Sequence, residues 1–81
     1  MNSVDAEEIE KLERDIQWHF DSMPKWIRIK LEEDYTEDFQ NIIVKMYSDS
    51  FDDNFSFCPE AFDTYDEMLD YCISKVEQIY Y

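Results

Sequence analysis

The side chains able to do chemistry are abundant in one kind and scarce in every other: twenty-one Asp and Glu, one His (His19) and two Cys (Cys58 and Cys72) in 81 residues. Nucleophilic catalysis needs a base within reach of an activated hydroxyl or thiol. His19 falls beside the apolar stripe of a helix, with no paired nucleophile near it in sequence, so it reads as a half-buried, hydrogen-bonded histidine. Pairs of carboxylates can divide the roles of acid and base. At this density, however, close pairs arise everywhere and no one pair stands out. The chain contains no glycine. That removes the P-loop and the dinucleotide fingerprint, because each needs backbone that only glycine allows next to phosphate. The expectation is a protein that is not an enzyme and carries no cofactor.

Metal ligation fares no better. A twelve-residue window from Asp49 to Glu60 has acids at its first, fifth and twelfth positions, as a calcium loop would. Its third position is Phe51, and its sixth is Asn54, where the turn demands glycine. Cys58, Cys72 and His19 are too few and too scattered for a closed zinc site. The two cysteines stand fourteen residues apart, which allows one disulfide; without a secretion signal, reduced thiols in the cytosol are the expectation. The N-terminal residues are acidic from Asp5 onward and lack an apolar core segment of the signal-peptide kind. No apolar run approaches the ~18 residues of a membrane span. A cytoplasmic location is the expectation.

Charge is the remaining signal. Against the acids stand seven Lys and Arg, for a formal net charge of −14. Nucleic-acid phosphate and anionic membranes repel such a chain, whereas basic proteins attract it. Acidic disordered tails are poor in aromatics, but 17% of these residues are aromatic and 44% hydrophobic, so a folded core is expected. The charge exceeds the ~2–8 that keeps a small domain soluble. Self-repulsion opposes folding, so the excess points to use. Its placement is uneven. Glu32, Glu33, Asp34, Glu37 and Asp38 lie between Lys30 and Lys45 with no base among them. Asp49, Asp52, Asp53, Glu60, Asp63, Asp66, Glu67 and Asp70 lie between Lys45 and Lys75, again with none.

Spacing identifies the elements that must position these acids. Asp5 as N-cap and Glu8 three positions on form a capping box, with Val4 and Ile9 as its hydrophobic staple. Ile9, Leu12, Ile16, Phe20 and Met23 recur at helical spacing until Pro24, with His19 beside them. Lys25 to Leu31 and Phe39 to Tyr47 alternate apolar and polar residues as strands do, with Arg28, Lys30 and Lys45 on the solvent face. Phe55 to Cys58 reads as a short third strand ended by Pro59. Thr64 and Glu67 open a second helix whose apolar stripe runs from Tyr65 to Tyr80. One domain of α+β class is expected, in the order α-β-β-β-α: a three-stranded antiparallel meander with two helices packed on one face. The acids then sit in two loops, 32–38 and 48–54, and at the start of the last helix. The second loop and that helix start should share one end of the sheet, with the first loop at the other.

Carboxylates one helical turn apart are separated by about 5.4 Å along the axis, comparable to successive backbone phosphates. Asp63, Asp66, Glu67 and Asp70 thus offer a phosphate-like row that Arg and Lys of a nucleic-acid groove can take with charge-assisted bonds. Tyr35, Phe51, Phe55, Tyr65, Tyr71, Tyr80 and Tyr81 add aromatic anchors of the kind that carry interface energy.

Element order alone is shared with double-stranded-RNA-binding domains. Those present lysines at the start of the last helix, where this chain has acids. In size, charge, the capped helix around a meander and the acidic stretches, the whole chain resembles the small acidic inhibitors encoded by phages and mobile elements: anti-CRISPR proteins, anti-restriction proteins and uracil-DNA glycosylase inhibitors. No residue motif carries the likeness. It implies a DNA mimic that blocks the DNA-binding cleft of a basic nucleic-acid-binding protein, with a CRISPR-Cas nuclease first among the candidates. Such a protein acts as a monomer or small homo-oligomer, without direct contact with nucleic acid or membrane. The interface is expected among Glu32, Glu33, Asp34, Glu37, Asp38, Asp49, Asp52, Asp53, Asp63, Asp66, Glu67 and Asp70. An immunity or antitoxin-like protein that plugs a basic nuclease toxin would use the same electrostatics. A structural subunit docking through its aromatics is a third reading.

Overall fold

Helix α1 (Ala6–Asp21) starts from the expected cap. In the computed structural model, which describes residues 3–34 and 38–81, Asp5 Oδ1 accepts the Glu8 N–H at 2.9 Å. Val4 and Ile9 are both buried, as a staple requires. The helix stops at Asp21, earlier than the stripe implies, because Met23 precedes a proline and is driven out of helical geometry. Three strands follow, β1 (Arg28–Asp34), β2 (Asn41–Ser48) and β3 (Phe51–Phe57), then a 3₁₀ turn (Pro59–Ala61) and α2 (Tyr65–Tyr80). The sheet order is β1-β2-β3, antiparallel throughout. This is the α+β meander, α-β-β-β-α, that the pattern predicts.

Ile29, Leu31, Ile42, Val44, Met46 and Phe57 bury one face of the sheet in a common core with Leu12, Ile16 and Phe20 of α1 and Met68, Cys72 and Val76 of α2. Burying a large apolar side chain contributes roughly 1.5–3 kcal/mol, and this core is what opposes the repulsion of the surface charge. The other face carries Arg28, Lys30, Lys45 and Tyr47 and has no helix over it.

The outer strands depart from the alternation in different ways: β1 starts at Arg28 and not Lys25, and so is displaced by three residues at unchanged length, whereas β3 is longer than expected. β1 continues past Leu31, so Glu32, Glu33 and Asp34 are strand residues paired with Ile43, Ile42 and Asn41. β3 begins at Phe51, so Asp52 and Asp53 also lie in a strand, opposite Tyr47 and Met46. The β2–β3 turn is Asp49 and Ser50 alone. Acidic residues are poor strand formers in isolation. Here the apolar central strand offers ladder bonds to both neighbours and overrides that weakness.

The start of α2 also lies at the other end of the sheet from the one expected. In an antiparallel meander β3 runs away from the Asp49–Ser50 turn whatever its length, so α2 begins at the end of the sheet where β1 joins β2, and not beside Asp49 as expected. At that end the buried side chain of Gln40 ties down the N-terminal segment: Gln40 Oε1 accepts the Val4 N–H at 2.8 Å and Gln40 Nε2 donates to Val4 O at 2.9 Å. At the opposite end the last two residues clasp the α1–β1 connection. Lys25 Nζ donates to Tyr80 O at 3.1 Å, Tyr80 OH to Trp26 O at 2.8 Å and Tyr81 OH to Lys25 O at 2.7 Å.

Helix α1 also seals one edge of the sheet. The outward N–H groups of Ile29 and Leu31 donate to Gln17 Oε1 and Glu13 Oε1, both at 2.8 Å, and Gln17 Nε2 donates to Ile27 O at 2.9 Å. Side chains of α1 therefore occupy the groups with which a foreign strand would pair on β1.

Candidate partner-binding surface

All eight acids of the base-free stretch 46–74 are exposed, and among the described residues none of them is in an ion pair. The cap of α2 fixes four of them. Thr64 Oγ1 accepts the Glu67 N–H at 3.2 Å, and Glu67 Oε2 reaches back to the Asp63 N–H at 3.3 Å. With Met68, Cys72 and Val76 turned into the core, Asp66, Glu67 and Asp70 project outward from the first turns of the helix. Asp63 stands just before the cap, so the helix itself carries three of the four acids in the row. The positive end of the helix dipole favours negative charge in the first turn, which lets Asp66 and Glu67 sit there at little cost.

The first acidic stretch is less uniform. Glu32 is half-buried and paired with Lys45, its Oε2 lying 3.0 Å from Lys45 Nζ, so its charge is partly cancelled within the fold. Glu33 Oε2 accepts from Gln40 Nε2 at 3.5 Å, Asp34 is half-buried, and Asp38 is exposed. Glu37 lies outside the described residues. The fold therefore groups the acids differently from an arrangement of two loops. Asp34 and Asp38 belong to the same end of the sheet as Asp63 and the start of α2. Asp49 marks the other end, and Asp52 and Asp53 run along the edge strand β3.

Most of the expected aromatic anchors are engaged inside the molecule. Tyr65 OH donates to Asp15 Oδ2 at 2.5 Å, with Lys11 Nζ 4.2 Å from the ring centre. Burial, together with the bond to Asp15 and its negative charge, holds the Tyr65 phenol well above its usual range. Phe51 packs on Tyr80 at 4.8 Å between ring centres, and Tyr81 stacks on Phe20 at 5.6 Å. Phe55 packs beside Tyr71, which remains at the margin of exposure. Tyr35 lies outside the described residues. The aromatics that face solvent most are Trp18, at 78% exposure, with Trp26, Tyr81 and Phe39; of these only Tyr81 is among the expected anchors, and it keeps about half its surface exposed despite its stacking on Phe20. Trp18 is legible from its position: it lies two residues from both Ile16 and Phe20, which puts it on the opposite side of a 3.6-residue helix.

The remaining reactive groups are structural in their surroundings. His19 is half-buried, its Nε2 3.3 Å from Glu77 Oε1, and so links α1 to α2. Cys58 and Cys72 are free thiols; Cys72 is buried, and burial pushes it up to about 12. Such a thiol is inert at neutral pH. Among the described residues no three His, Cys, Asp or Glu side chains come together as a metal ligand set. No helix among them is long and apolar enough to cross a membrane. No family model, no curated protein and no solved structure matches the chain.

Proposed function

We propose that this protein is a non-enzymatic inhibitor that substitutes for nucleic acid and occupies the DNA-binding cleft of a basic DNA-processing protein in the cytoplasm, with a CRISPR-Cas nuclease as the first candidate. The observation that carries the reading is the set of eight exposed acids between Lys45 and Lys75, none ion-paired within the described residues. A surface that only kept the domain soluble would need far less charge, and one that only stabilised it would pair acids with bases. An unpaired set instead leaves its charge for a partner's Arg and Lys, whose donors bind carboxylate and phosphate alike. Dense charge on both sides makes association fast at low salt and weak at high salt.

Immobilised protein exposed to cell extract at low ionic strength is expected to retain basic nucleic-acid-binding proteins and to release them as NaCl rises toward 1 M, where charges interact over only ~3 Å. Mass spectrometry of the salt fractions identifies them. Retention dominated by proteins without nucleic-acid affinity would contradict the proposal.

A further inference from the structure

The two edges of the sheet are finished differently. On β1, the Ile29 and Leu31 N–H groups point away from β2 into the side chains of α1. In an antiparallel ladder the direction of backbone groups alternates along each strand. Arg28, Lys30, Glu32 and Asp34 therefore bond to Tyr47, Lys45, Ile43 and Asn41, and the alternate β2 residues Ile42, Val44, Met46 and Ser48 face β3. Their partners are Phe57, Phe55, Asp53 and Phe51. Asp52, Asn54 and Ser56 are left with N–H and C=O groups directed out of the sheet. The Asn54 N–H is held by the adjacent Asp53 Oδ1 at 2.8 Å, an exposed bond that a competing acceptor can displace. No other described segment makes a backbone bond to this edge.

We propose that the β3 edge receives an extended, basic segment of the partner as a fourth strand. Main-chain bonds to Asp52, Asn54 and Ser56 supply the pairing, and charge supplies the selection. Asp52 and Asp53 lie along the edge, with Asp49 at its start. On the helical side, Tyr71 packs against Phe55 and Phe57 with ring centres 6.4 and 6.3 Å apart. Glu67, four residues earlier, shares that helix face. An incoming chain thus meets acids on both flanks. A second copy of this protein is the disfavoured occupant, because like-charged edges would meet on molecules of net charge −14 each. The inference rests on the reading that the partner is basic and specifies how part of its chain is held.

Two synthetic decapeptides that alternate Arg with Val test it, one all-L and the other with every second residue D, which preserves charge but prevents regular strand pairing. Amide–water exchange is followed by NMR on the labelled full chain at low salt. The all-L peptide is expected to slow exchange at Asp52 and Ser56 at least tenfold, to leave the already bonded Asp53 and Phe55 amides unchanged, and to bind at least tenfold more tightly than its mixed-chirality counterpart. Equal binding of the two peptides, without the alternating slowdown, would overturn strand addition and leave the acidic-surface reading standing. Failure of both peptides to bind would overturn both. Slow exchange at Asp52 and Ser56 in the free protein, increasing with its concentration, would instead make a second copy the occupant and refute the proposal.

Discussion

The quadruple variant Asp63→Asn, Asp66→Asn, Glu67→Gln and Asp70→Asn loses about a hundredfold in affinity for its partner while its melting temperature stays within a few degrees. Four charge pairs at an interface, at roughly 0.5–1 kcal/mol each, add up to about two powers of ten. The substitutions are isosteric, and Glu67→Gln keeps a side-chain oxygen to accept the Asp63 N–H, so the bond now made by Glu67 Oε2 survives. None of the four side chains is in the core. Removing four like charges relieves self-repulsion, which offsets the lost attraction to the helix dipole. Calorimetric titration against the captured partner and a thermal melt of each protein measure the two quantities. Unchanged affinity would remove α2 from the interface.

Gln40→Leu is expected to destabilise the fold by about 3 kcal/mol and to lower the melting temperature by roughly 15 °C. Gln40 is 4% exposed and Val4 5%, and the Gln40 amide satisfies both main-chain groups of Val4. Leucine fills a similar volume but leaves a buried N–H and a buried C=O without partners, each costing about 1–3 kcal/mol. The Val4–Ile9 staple loosens with them, so the first turn of α1 frays. Calorimetry gives the shift, and amide exchange in residues 6–9 localises it. A fall of less than about 3 °C would mean that the N-terminal segment is held by the staple alone.

Asp5, Thr64 and the stripes of both helices are legible in the sequence because caps and helical periodicity are local signals. The alternation in β2 is legible because one of its faces is buried. Glu32, Glu33, Asp34, Asp52 and Asp53 read as loop because their strand character comes from β2 and not from their own propensities. That one tertiary effect places these five acids in strands, while the start of α2 lies across the sheet from Asp49 because an antiparallel β3 of any length runs back along β2. The engagement of Tyr65 with Asp15, fifty residues away, and of Tyr80 and Tyr81 with the α1–β1 connection are long-range contacts with no local signature. Nor does composition distinguish Glu32, paired with Lys45, from Asp66, which is left unpaired.

Mutual exclusion between this protein and duplex DNA on the same partner tests the central claim most directly. A fluorescent duplex is bound to the purified partner at low salt, and the protein is titrated in while anisotropy and native mass spectrometry follow the species formed. Mimicry predicts that the duplex is released in proportion to the protein bound and that no ternary complex forms. A stable complex of partner, duplex and this protein, with the DNA still held at saturation, would contradict it.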